Sequence, residues 1–119
     1  MNLLLVDDED SLRHLLAQYL VNQGHAVEQA AGAAHARAAM SKPEVFDFAL
    51  IDWSLLDGSG LDVARELLEK DPKLRVIFTS GYPLDVTLIP MHLRNRVRIL
   101  QKPFLPRDLA EILNTWRYS

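Results

Sequence analysis

The chain has 119 residues, 49% hydrophobic and 24% charged, with a formal net charge of −3; that is one domain in length, able to bury about two-thirds of its unfolded surface. The acidic balance speaks against direct nucleic-acid binding, which usually shows a basic surplus. The lack of cysteine excludes disulfides, thiolate nucleophiles and Cys-type metal sites and fits a cytoplasmic domain, and no apolar run approaches the roughly 18–20 residues of a membrane span.

Asn2 to Val6 is a short apolar run that reads as a buried strand and ends in Asp7-Asp8-Glu9-Asp10. Leu12, Leu15, Leu16, Tyr19 and Leu20 then recur as the apolar stripe of a helix. Gly24 stands where a helix end favours a residue tolerant of positive φ. His25 to Gln29 is a half-polar strand suited to a sheet edge, and Gly32 to Met40 is an Ala-rich helix ended by Pro43. Phe46 to Asp52 is almost continuously apolar, the habit of a parallel strand buried on both faces. A helix begins at Ser59 or Gly60 and carries Leu61, Ala64, Leu67 and Leu68 on one side. Leu74 to Thr79 is a fourth strand, followed by Ser80. Leu84 to Leu93 is a poor helix, because Pro90 cannot donate a backbone bond. Val97 to Gln101 is a fifth strand, followed by Lys102-Pro103-Phe104. Pro106 opens a last helix with Leu109, Ile112, Leu113 and Trp116 on its stripe.

Strand and helix alternate five times, which predicts a flavodoxin-like (βα)5 doubly wound parallel sheet of strand order 2-1-3-4-5. Its crevice opens beyond the carboxyl ends of strands 1 and 3, where Asp7, Asp8 and Asp52 stand. Carboxylates about 4 Å apart repel by roughly 4 kcal/mol per pair at an effective dielectric near 20. A proton or a cation relieves this. Oxygen ligands without His or Cys suit a hard ion such as Mg²⁺. Ser80 and Lys102 supply a hydroxyl and an ammonium at two further strand ends. A phosphoryl group on Asp52 needs a metal, a cation and a hydrogen-bond donor, and the chain offers one of each.

Val6-Asp7-Asp8, Asp52 with Gly60 eight residues later, Ser80, and Lys102-Pro103-Phe104 together resemble the receiver domain of two-component response regulators. The resemblance covers residues 1–119, read as one receiver domain with no output domain. It implies that Asp52 accepts a phosphoryl group from a sensor histidine kinase or phosphotransfer protein in a Mg²⁺-dependent reaction. It also implies that the domain then switches conformation to control a downstream partner. Asp8, Asp52 and the Ser54 backbone carbonyl are implied as direct metal ligands, and Asp7 as one acting mostly through water. Ser80 and Lys102 are implied to hold the phosphoryl group, and the Lys102–Pro103 bond to be cis. Such a domain is not an enzyme beyond catalysing its own phosphorylation and dephosphorylation. Dimerisation on phosphorylation is compatible with this reading.

The sequence departs from the family pattern in three places. Leu56 replaces the usual Pro four residues after the nucleophile, which loosens the loop. Ile99 replaces the aromatic ring that swings inward on activation. Pro83 and Pro90 disturb the fourth helix, part of the usual output surface. Tyr82 is the candidate alternative route for the signal, and with Ser54 it occupies a position that tunes hydrolysis of the phosphoryl group. Two other readings stay open: a Mg²⁺-dependent phosphohydrolase passing through an aspartyl phosphate, and a pseudo-receiver that only binds partners. Glu9 and Asp10 read as first-turn acids, and Arg94, Arg96, Arg98 and Arg107 as a solvated face.

Overall fold

The computed structural model describes residues 1–43 and 45–117. The elements are β1 (Asn2–Val6), α1 (Asp10–Asn22), β2 (Ala26–Ala30), α2 (Ala33–Met40), β3 (Phe48–Asp52), a small hairpin of β4 (Ser54–Leu55) and β5 (Gly58–Ser59), α3 (Gly60–Lys70), β6 (Arg75–Ser80), β7 (Val97–Gln101) and α4 (Pro106–Trp116). The five main strands pair in parallel in the order β2-β1-β3-β6-β7. With the hairpin set aside, this is the expected 2-1-3-4-5 order.

The continuous apolar strands are explained by two cores. Successive side chains of a strand point to opposite faces. Leu4, Val6, Ala49, Ile51, Val76 and Phe78 meet α2 and α3 on one face. Leu3, Leu5, Phe48, Leu50 and Ile77 meet Leu16 and Leu20 of α1 and Leu109, Leu113 and Trp116 of α4 on the other. At the end of α1, Gly24 adopts φ +95°. The amides of Gly24 and His25 donate to the carbonyls of Val21 and Leu20, which satisfies carbonyls the helix leaves free.

Three expectations need correction. Leu15 is exposed; the buried stripe of α1 is Arg13, Leu16, Ala17 and Leu20. The buried face is centred between Leu16 and Ala17 on the side of Arg13 and Leu20, and Leu15, about 200° round the helix from Ala17, lies on the opposite side. The poor helix at Leu84 to Leu93 is no α-helix. Two short 3-10 turns, Val86–Leu88 and Met91–Arg96, flank Pro90, consistent with a residue that cannot extend an α-helical ladder. The arginines near β7 are not simply a solvated face. Arg96 donates to the carbonyls of Leu68, Asp71 and Leu74 at the end of α3, Arg94 donates to the Ile89 carbonyl, and Arg98 lies over the Trp116 ring, 4.5 Å from its centroid.

Candidate functional site

Parallel pairing brings the carboxyl ends of the strands to one edge. Val6 pairs with Ile51 and Asp52 with Thr79, while Ser80 pairs with Gln101. The residues at or just beyond these ends are therefore Asp7, Asp8, Asp52, Ser80 and Lys102. Carboxylate oxygens of Asp7, Asp8 and Asp52 lie within 4.8 Å of one another. Asp7 and Asp52 are buried, at 2% and 8% exposure, so their charges are poorly served by water and need partners within the protein.

Lys102 supplies one. Its Nζ donates to Asp52 Oδ2 at 3.1 Å and to Asp7 Oδ2 at 3.2 Å. Backbone amides serve three of the four remaining oxygens: Glu9 N–H donates to Asp7 Oδ1 at 2.8 Å, Ser54 N–H to Asp52 Oδ1 at 3.1 Å, and Leu56 N–H to Asp8 Oδ2 at 2.7 Å. Burial holds the Asp52 carboxyl above its usual range, with the Asp7 charge adding to the effect; the Ser54 amide and Lys102 only partly offset it. Burial disfavours the Lys102 charge, but its bond to Asp52 and the charges of Asp7 and Asp52 outweigh that and hold the ammonium above its ordinary value. Three carboxylates facing one ammonium leave negative charge uncompensated. An all-oxygen set with this excess fits a hard divalent cation.

Ser80 is not part of this cluster. It is buried, but its Oγ donates to the Tyr82 carbonyl at 2.7 Å and accepts from the Tyr82 amide at 3.2 Å. Ile99 is half-buried and pairs with Phe78 across the sheet, packed on the α2–α3 core. Trp53 stands edge-on to Phe78, with centroids 5.1 Å apart. The Lys102–Pro103 peptide is cis.

The loop after Asp52 is held more tightly than Leu56 led one to expect. The Leu56 amide binds Asp8, and the Asp57 carboxylate accepts from the amides of Ala33 at 2.7 Å and Ala34 at 3.0 Å at the start of α2. The expected loosening considered only the proline ring, and the amide gained by losing proline ties the loop down. Gly60 has a steric reason to be glycine: a Cβ there would lie 2.0 Å from the Asp52 carbonyl oxygen. Sequence reasoning also passed over Arg13. This buried side chain donates to the Asp7 carbonyl at 2.8 Å and pairs with Asp10 at 2.8 Å. The Asp10–Arg13 spacing, three residues on a helix, was the available signal.

A family model of the response regulator receiver domain matches residues 3–114. The transcriptional regulatory protein CssR of Bacillus subtilis is 34% identical over 106 residues, which span 88% of this chain and 46% of that protein. The chain thus covers about half the length of curated relatives it matches. A CheY-like receiver domain from Methanospirillum hungatei superposes with a TM-score of 0.86 at 28% identity, over 97% of this chain and 91% of that one. A response regulator from Burkholderia pseudomallei, solved with a phosphorylated aspartic acid, a calcium ion and citrate, does so with a TM-score of 0.78 at 27% identity, over 92% and 64%. With a doubly wound sheet, an acidic crevice at its carboxyl edge and a family match over nearly its whole length, this chain belongs to the response regulator receiver domain family of two-component signalling.

Proposed function

We propose that Asp52 is the phosphoacceptor of this receiver. The observation that carries the reading is the grouping of Asp7, Asp8 and Asp52 within 4.8 Å, with Lys102 Nζ 3.1 Å from Asp52. Receiver domains interact with histidine kinases or phosphotransfer proteins, and the proposed donor is a phosphohistidine on such a partner. A carboxylate oxygen of Asp52 bonds to phosphorus as the bond from phosphorus to the imidazole nitrogen breaks, and the electron pair leaves with the nitrogen. Water reverses the modification by cleaving the acyl phosphate to Asp52 and inorganic phosphate.

Asp7, Asp8, Asp52 and the Ser54 carbonyl would hold Mg²⁺, which when bound neutralises charge on the transferring phosphoryl oxygens. Lys102 pairs with Asp52 before transfer and with a phosphoryl oxygen afterwards. Ser80 must leave Tyr82 to reach the same group. That exchange couples the site to the backbone at Tyr82, the route we assign to the signal because Ile99 has no ring to swing. The phosphoryl group thereby shifts a two-state equilibrium that a downstream effector reads. A cytoplasmic location belongs to this reading. The phosphorylated aspartic acid in the Burkholderia pseudomallei relative supports it. Against a phosphohydrolase stands Ser54, where an acid is wanted two residues after the nucleophile.

The test is an intact mass after incubation with Mg²⁺ and a small acyl-phosphate donor. One phosphoryl adduct, labile in base, is expected. Rapid turnover of varied phosphate esters would favour the hydrolase, and no adduct with no turnover the pseudo-receiver.

A further inference from the structure

The three acids of the crevice have different partners. Among the described residues, Lys102 bonds Asp7 and Asp52 and not Asp8. Asp8 instead accepts the Leu56 backbone N–H at 2.7 Å. The Leu56 side chain is 92% exposed, so its packing gives no reason for the loop to lie where it does. The position of the amide is fixed by its neighbours. Ser54 and Leu55 pair with Ser59 and Gly58, and Asp57 is bonded to the first amides of α2. Contact is close on that side: a Cβ on Gly32 would meet Asp57 Oδ1 at 2.6 Å. The donor is therefore built into the loop.

We infer that the Leu56 amide is a positioning group for Asp8, and that the loop after β3 sets cation affinity through its main chain. The inference rests on the cation site proposed above. A donor on Oδ2 fixes the rotation of the carboxylate and leaves its other oxygen for a cation. Hydrogen bonds to ligating carboxylates act in this way at metal sites generally. The same bond compensates the one acid of the three that the lysine leaves out, so the crevice tolerates its charge before a cation arrives. A proline at position 56 could not do either, having no N–H.

Two measurements test this. In the first, Mg²⁺ is titrated calorimetrically into wild type, L56P and L56A. L56P should bind on the order of three- to tenfold more weakly than wild type. L56A keeps the amide and should bind several-fold more tightly than L56P. Equal or tighter binding by L56P, or equal weakening in L56A, would overturn the inference. In the second, hydrogen exchange of the Leu56 amide is followed by NMR without metal, in wild type and in Asp8→Ala, which has no acceptor at that position. Slower exchange in wild type is expected, with protection kept when Mg²⁺ is added to the wild type. No difference between the two proteins, or protection lost on adding Mg²⁺, would overturn it even if L56P fails to fold. Absence of Mg²⁺ binding by wild type would count against the cation site, while the metal-free exchange still judges the bond.

Discussion

The Ser80 hydroxyl is closed onto the Tyr82 backbone, donating to the carbonyl at 2.7 Å and accepting from the amide at 3.2 Å. Ser80 is buried and Tyr82 half-exposed, so the pair links the interior of the site to the surface. If Ser80 turns to a phosphoryl group on Asp52, the Tyr82 amide loses its acceptor. Phosphorylation should therefore shift the Tyr82 amide resonance in a ¹⁵N spectrum. Ser80→Ala should accept the phosphoryl group while this shift is lost. An equal shift in Ser80→Ala would mean that the signal leaves by another route.

Among the described residues, Lys102 is the one side-chain cation bonded to both Asp7 and Asp52. Lys102→Met removes it and leaves two buried carboxylates facing each other. Without metal this should lower stability by about 1–2 kcal/mol in urea unfolding, a figure kept small because the lysine is partly solvated. Asp52→Asn should have the opposite sign, since it relieves the desolvation that raises the Asp52 pKa. Mg²⁺ should stabilise Lys102→Met more than wild type, by taking over the missing charge.

Asp57 gives a pH dependence away from the crevice. Its bonds from the Ala34 and Ala33 amides hold its carboxyl below the usual value. A depressed carboxylate contributes stability above its unfolded pKa, near 4, and loses it as pH falls through the folded value. Asp57→Ala should therefore melt below wild type at neutral pH. The gap should close as pH falls from about 5 towards 3. A constant gap across that range would show that packing, and not the ionised carboxylate, is what the substitution removes.

Gly60→Ala places a Cβ 2.0 Å from the Asp52 carbonyl oxygen and 3.0 Å from the Trp53 Cα. The obstacle is backbone, which cannot move aside as a flexible side chain does. Thermal unfolding should show a loss of about 1–3 kcal/mol, the usual range for overpacking. Trp53 emission should change with it, because the displaced segment carries that ring.

The fold was legible because short, almost continuously apolar strands alternate with helical stripes of period 3.6, and four of the five strand ends carry an acid, a hydroxyl or an ammonium. Asp7, Asp8, Asp52 and Lys102 could be grouped from topology alone. What stayed hidden was main chain. No residue identity announces that the Leu56 amide reaches Asp8, that Ser80 faces Tyr82, or that Gly60 must clear a carbonyl. Leu15 was misplaced because the leucines alone centred the stripe too far round the helix, while the buried face takes in Arg13 and Ala17, which hydropathy ranks below leucine. The 3-10 turns around Pro90 show the same limit: proline forbids a regular helix without saying what replaces it.

In the proposed reaction Asp52, and neither of its acidic neighbours, receives the phosphoryl group. Borohydride converts an aspartyl phosphate to homoserine, which peptide mass spectrometry locates. After treatment with an acyl-phosphate donor and Mg²⁺, homoserine should stand at position 52, and the signal should vanish in Asp52→Asn. Homoserine at position 7 or 8, or at none of the three, would contradict the account.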